Sequence, residues 1–215
     1  MDEAFERRVI TKIGWRLIPF MCLCYLVDFI DRTNLGAAKL HLTWFDDRVY
    51  SQAAGIFFLG YFLFEVPSNI ILVRVGARIW IARIMILWGL ICAAMMFVGK
   101  SSVVFYSLRF LLGAGEAGFF PGMILYLTFW FPTRYRVRTV ALFMAAAAFS
   151  SVVGNIVSGI ILRRMPGVMG LEAWQWLFIL EGLPASLLGI VVLFYLPNGP
   201  DDAKWLKEDE RLWLS

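Results

Sequence analysis

Six long apolar stretches separated by short polar segments organise the chain: about 15–36, 53–73, 79–98, 103–131, 139–162 and 173–196. Each is close to or above the ~20 residues a helix needs to cross roughly 30 Å of hydrocarbon. The pattern predicts an all-α membrane protein with six transmembrane helices. The fifth stretch, Thr139 to Leu162, holds no charged residue. The fourth is longer than a crossing requires, so it is expected to tilt, protrude or kink at Pro121. After Pro197 the chain turns polar. Asp201 is placed to cap a short amphipathic helix carrying Trp205, Leu206, Leu212 and Trp213 on its apolar side. The expected division is a six-helix bundle over 1–196, followed over 197–215 by the amphipathic start of a cytoplasmic connection.

Composition removes the competing classes. Of 215 residues, 60% are hydrophobic and 17% charged, whereas soluble chains run nearer half apolar and a quarter charged. Cys22, Cys24 and Cys92 all fall inside apolar runs, which reads them as small buried hydrophobes rather than bridges or metal ligands. The net charge of +4 raises the question of nucleic acid, but cytoplasmic loops of membrane proteins also concentrate Lys and Arg. With the N-terminus inside, the inner segments hold Arg7, Arg8, Lys12, Arg16, Arg74, Arg78, Arg83, Arg134, Arg136, Arg138, Lys204, Lys207 and Arg211. The outer segments hold Arg32, Lys39, Arg48, Lys100, Arg163 and Arg164. That two-to-one bias places both termini in the cytoplasm and accounts for the basic charge without nucleic acid. The charged start precedes an apolar run interrupted by Asp28, Asp31 and Arg32, with no small-residue cleavage site, so it is read as an uncleaved first span.

Ionisable residues inside the apolar stretches carry the chemistry, because each costs at least about 2.5–3.5 kcal/mol at bilayer depth unless it meets a partner or a wet cavity. Asp28, Asp31 and Arg32 share one face of helix 1 at i, i+3 and i+4. Arg109 and Glu116, seven apart, share one face of helix 4. Counting 1.5 Å per residue puts Arg109 roughly 9 Å and Glu116 roughly 20 Å below the outer edge, with Asp31 and Arg32 in the outer half near Arg109, so the two sets overlap in depth. Two mixed-charge sets on separate helices favour a functional cavity over simple fastening pairs. Glu181 on helix 6 is read as structural, in reach of Arg109. Glu65, near the inner end of helix 2, is read as a gate or loop clamp neutralised by Arg74, Arg78 or Arg83.

The remaining features are bland. Ala114, Gly118 and Gly122, and likewise Ser150, Gly154 and Ser158, repeat every four residues, as helix-packing stripes do. His41 is alone in an outer connection around 34–52 and reads as solvated. No metal-ligand cluster, phosphate loop or nucleophile motif occurs, so the expectation is a non-enzymatic protein with no cofactor and no metal.

Several segments then carry a family resemblance over nearly the whole chain. They are Asp31-Arg32-Thr33-Asn34, Gly60-Tyr61-Phe62-Leu63-Phe64-Glu65-Val66-Pro67-Ser68-Asn69, Arg74-Val75-Gly76-Ala77-Arg78, Arg109-x-x-x-Gly113-x-x-Glu116-Ala117 and Trp174-Gln175-Trp176-Leu177-Phe178-Ile179-Leu180-Glu181-Gly182. The chain resembles the N-terminal half of a major facilitator superfamily transporter of the anion:cation symporter family, which includes tartrate-, phthalate- and hexonate-type permeases. It departs from the family's inner-loop pattern at Asn69, Val73 and Ala77, so a gating salt bridge from the usual Asp cannot form at Val73. Helix 5 lacks the antiporter Gly-x-x-x-Gly-Pro feature, reading Gly154-Asn155-Ile156-Val157-Ser158-Gly159 instead, which leans toward symport.

The resemblance implies a 3+3 inverted repeat, half of a twelve-helix fold in the plasma (inner) membrane. It implies proton coupling at Asp31 and Glu116, substrate attraction at Arg32, substrate binding and organisation of the coupling network at Arg109, and a substrate-wall contact at Tyr61. Glu65, Arg74, Gly76 and Arg78 belong to the gating segment. The implied function is secondary active transport of a small organic anion with protons. The implied partners are that anion, the lipid bilayer and a second six-helix half or second copy, since alternating access needs two halves. The alternative is a transport-inactive or interaction protein lacking its C-terminal half.

Overall fold

With no water in hydrocarbon to satisfy backbone N–H and C=O groups, an apolar crossing must fold as a helix, and this chain does so six times. The computed structural model describes residues 3–39, 41, 46–99 and 101–214, without the side chains of Thr33 and 146–148. Lys100 and much of the first outer connection lie outside the described residues. The helices are α1 (Glu3–Lys39), α2 (Asp47–Val75), α3 (Ala77–Ala94), α4 (Ser102–Glu116), α5 (Phe119–Trp130), α6 (Thr133–Arg164), α7 (Ala173–Tyr195) and α8 (Glu208–Leu214). Six segments are long and apolar enough to cross a membrane: α1, α2, α3 with its 3-10 extension to Phe97, α4 together with α5, α6 and α7. The first crossing outruns its apolar stretch at both ends, so Asn34 to Lys39, expected in a connection, are helical.

The fourth crossing breaks, but not at Pro121. Gly118 takes a left-handed conformation (φ 83°) between α4 and α5, and a Cβ there would lie 2.5 Å from Ser68 Oγ. Only glycine meets both demands. Pro121 falls in the first turn of α5, where its missing N–H costs no helix bond.

The pairing of helices is itself symmetric. The most extensive contacts are α3 with α7, α2 with α4, and α1 with α6. Exchanging crossings one to three for four to six turns the α2–α4 pair into the α6–α1 pair and leaves α3–α7 unchanged, which is the signature of an inverted repeat. At the self-related α3–α7 crossing the two backbones touch reciprocally. A Cβ on Gly89 would lie 2.5 Å from the Gly182 carbonyl, and one on Gly182 2.6 Å from the Gly89 carbonyl. The α2–α4 crossing is as close, at Gly60 against the Phe110 carbonyl and Gly113 against the Phe57 carbonyl. The Ala114–Gly118–Gly122 stripe is thus interrupted by the helix break, whereas Ser150, Gly154 and Ser158 are all buried on α6.

Side chains also close the face that carries both termini. Tyr126 donates to the Pro197 carbonyl (2.8 Å), and the Arg78 N–H donates to Asn198 Oδ1 (3.2 Å). Asp201 does not cap a helix; it lies in a 3-10 turn, Pro200–Asp202, and α8 begins only at Glu208. Trp205 and Leu206 precede that helix. Trp205 stacks on Trp130 with ring centroids 5.8 Å apart, and Leu206 is buried. Lys12 donates to Glu210 (2.5 Å) and ties the tail to α1.

Candidate functional site

The charged residues of α1 and α4 converge. Arg32 reaches across from α1 and donates through Nε to Glu116 Oε1 (2.5 Å), while Asp28 Oδ2 lies 3.5 Å from the same guanidinium. Asp28 and Glu116 are fully buried, but the Arg32 side chain is 27% exposed. Glu116 is the last residue of α4, where the helix dipole disfavours a negative charge and favours a cation. The helix break therefore places both a carboxylate and the negative end of α4 before Arg32.

α2 supplies aromatic faces to both arginines. Tyr61 lies under Arg32, 5.3 Å from guanidinium carbon to ring centroid, and Phe57 under Arg109 at 4.7 Å. Phe57 and Tyr61 are one helical turn apart, so a single stripe of α2 holds the two cations. Arg109 is buried and lies within electrostatic reach of Asp31 and Glu116. Its Nε has no hydrogen-bond partner among the described residues.

A second set sits beside the first. Asp31 Oδ1 accepts from Asn34 Nδ2 (2.9 Å) and from the Cys92 thiol. Cys92 is buried as expected, but it acts as a hydrogen-bond donor rather than as a mere small hydrophobe. Glu181, expected in reach of Arg109, instead accepts from Ser158 Oγ (2.7 Å), and no described ion pair joins it to Arg109. One oxygen each of Asp31, Glu116 and Glu181 is buried without a partner, as are both hydrogen-bonding positions of the Asp28 carboxylate and Asn34 Oδ1. An interior so rich in unmatched acceptors is suited to hold protons.

Asp31, Arg32, Tyr61, Arg109 and Glu116 are thus brought together. Glu65 is not part of this group and meets none of Arg74, Arg78 or Arg83 in a described ion pair. It lines a cavity of about 490 Å³ with Val66, Asn69, Pro121 and Leu125. Gly76, at φ 100°, leaves room for Asn198 Oδ1, which would lie 2.7 Å from a Cβ there. Arg78 is held through its backbone by that same Asn198, and Arg74 is exposed. Phe57, Cys92 and Ser158 join the site without having been singled out as its members, and Asp28 joins it from the mixed-charge face of helix 1. Only Asp28 had a usable signal, its i, i+4 relation to Arg32.

A model of the Major Facilitator Superfamily matches residues 21–215. A relative from Agrobacterium vitis, named "Putative tartrate transporter", is 56% identical over all of this chain and 50% of its own length. The "Inner membrane transport protein RhmT" of Escherichia coli K12 is 39% identical, again over all of this chain and 50% of its own. The chain spans about half the length of the curated relatives it matches. Among solved structures, a bacterial homologue of the human lysosomal transporter Spinster, inward-facing and unoccupied, superposes with a TM-score of 0.71. That match is 19% identical and covers 87% of this chain and 44% of the other.

Proposed function

Because the chain belongs to the Major Facilitator Superfamily, a family of membrane transporters rather than enzymes, we propose that it supplies one half of a carrier that moves a small organic anion together with protons. The observation that carries this reading is the half-open Arg32 held against buried Glu116 and Asp28. A carboxylate entering from the open side competes with Glu116 for the guanidinium, and Tyr61 forms the adjoining wall.

Charge balance supplies the coupling. Among the described residues, Asp28, Asp31, Glu116 and Glu181 are buried near two cations, Arg32 and Arg109. If all four were ionised, the interior would carry an excess of negative charge in a medium that penalises it. Each anion that docks on Arg32 adds to that excess, so proton uptake at Glu116 and Asp31 accompanies it. Arg109, stacked on Phe57, keeps the two sets in register. The names of the Agrobacterium and Escherichia coli relatives support an organic-anion cargo and the inner membrane. The two-to-one basic bias supports cytoplasmic termini, with 1–196 as the carrier half and 197–215 opening the cytoplasmic connection. The segment from Glu65 through Arg74, Gly76 and Arg78, tied to Asn198, is assigned to gating. A second six-helix half completes the cavity.

The test is uptake of labelled tartrate into proteoliposomes holding the complete carrier, with an imposed proton gradient. Acidification of the outside should accelerate uptake, Arg32→Gln should abolish it, and Asp31→Asn or Glu116→Gln should uncouple it from the gradient. Intact proton-driven uptake in both carboxylate variants would overturn the reading.

A further inference from the structure

One buried acid has no part in the coupling described above. Glu181, on α7, is 3% exposed. Its Oε1 accepts from the Ser158 hydroxyl on α6. Its Oε2 has no hydrogen-bond partner, and no ion pair among the described residues includes it. An ionised carboxylate in that setting is an uncompensated charge at membrane depth, where such charges are heavily penalised.

Asp31 lies within electrostatic reach of Glu181, and the Asn34 side chain is in reach of both acids. Asn34 is itself fully buried. Its Nδ2 donates to Asp31 Oδ1 (2.9 Å) and lies 3.6 Å from Cys92 Sγ, while its Oδ1 has no partner. The groups facing the two acids divide unevenly. Asp31 has Asn34 and Asp28 on its own helix, the Cys92 thiol from α3, and Arg109 and Glu116 from α4. Glu181 has the Ser158 hydroxyl from α6, Asn34 and the Asp31 carboxyl from α1, and the Cys92 thiol from α3. Negative charge is therefore supported at Asp31 and unsupported at Glu181. The unpaired positions in this pocket, Glu181 Oε2, Asn34 Oδ1 and Asp31 Oδ2, are all acceptors. Buried polar groups are normally matched, and a hydrogen on one of these oxygens supplies the missing donor.

We propose that Glu181 is a second proton-binding carboxyl linked to Asp31 across Asn34, the two acids holding at least one proton between them, resident on Glu181 while Asp31 is ionised. Two carboxylates sharing one low-dielectric site do not both ionise, and the surrounding donors decide which of them keeps the charge. The proton sits on Glu181 Oε2, because Oε1 already accepts from Ser158. The Asp31 charge, held by Cys92, Asn34 and Arg109, is then the one free to vary during transport. That last step rests on the reading of Asp31 as a coupling site; the resident proton on Glu181 does not.

The experiment is infrared spectroscopy of the full chain in lipid vesicles across a pH titration, following the carbonyl stretch of protonated carboxyls. Near neutrality Glu181→Gln should lose one component of that band. Ser158→Ala keeps both acids but removes the hydroxyl on Glu181 Oε1, and should move the same component to higher frequency. In Asp31→Asn the charge that retains the proton is gone. The component should then titrate away at a pH lower by at least about one unit, a tenfold loss of proton affinity. Melting temperatures verify that the variants fold. An unchanged band in Glu181→Gln would show an ionised Glu181 and overturn the proposal; should that variant not fold, an unshifted component in Ser158→Ala would do the same. An unshifted titration in Asp31→Asn would overturn the link between the two acids. None of these measurements involves uptake, so a carrier indifferent to a proton gradient would defeat the symport reading and leave this one standing.

Discussion

α1 carries an ion pair toward each end, and the two are built to different purposes. Near its start Lys12 meets Glu210; about 30 Å further along the axis Arg32 meets Glu116. Both carboxylates are buried. At the terminal face, however, Glu210 also accepts from the Lys207 backbone N–H (2.9 Å), and the Lys12 side chain remains 36% exposed. That pair is a clasp with water at hand. The interior pair has no such reserve: among the described residues Glu116 Oε2 and the Asp28 oxygens lack hydrogen-bond partners, and further carboxylates crowd beside them. The same chemistry fastens a tail in one place and leaves a poised charge imbalance in the other.

The largest effect is expected from Arg32→Gln, which strands Asp28 and Glu116 without their cation. Removing one partner of a buried ion pair costs about 3–5 kcal/mol, whereas Lys12→Gln, acting on a partly exposed pair, should cost under about 1 kcal/mol. Melting temperatures of the two variants in one detergent check this, and equal losses would erase the distinction. An intermediate effect is expected where the interior site is held by a neutral donor. Cys92→Ala leaves Asp31 short of one donor and should cost about 1–3 kcal/mol, and Cys92→Ser should recover most of it.

The smallest effect sharpens the clasp. Burial pushes the Glu210 carboxyl up, but the Lys12 ammonium and the Lys207 N–H more than offset it, so its pKa lies below the ordinary glutamate value. A depressed pKa contributes stability that is complete above the unfolded value of about 4.3 and disappears as pH falls through the lower folded value. The stability gap between the natural chain and Glu210→Gln should therefore be constant near neutrality and close as the pH drops below about 4. A gap that widens on acidification would contradict the assignment.

The six crossings and the two charged faces were legible because length, apolarity and helical spacing are local properties. Asp31, Arg32, Arg109 and Glu116 could be placed on faces from their numbers alone. Spacing does not say which neighbour a face meets. Glu181 could be placed near Arg109 in depth, yet the rotation of α7 turns it to Ser158. Cys92 looked apolar because its run is apolar, and its role as a donor depends on its thiol on α3 reaching Asp31 on α1. Pro121 drew attention as a helix breaker, but the break falls three residues earlier, where contact with Ser68 and a left-handed backbone together require Gly118. The expected cap at Asp201 and the helical placement of Trp205 and Leu206 fail for a related reason. Trp205 has an aromatic partner in Trp130, which no local amphipathic pattern could reveal.

The crossing of Gly89 and Gly182 bears on how such a unit moves. Carbonyls rest directly on the facing glycines, and the hydroxyl at the crossing, Ser186, is itself bonded to the Ile86 carbonyl. Shear at that point meets main chain on both sides, which is the least yielding material a protein has. The contact at the pseudo-symmetry axis is therefore backbone-tight, and a larger side chain at either glycine would force α3 and α7 apart.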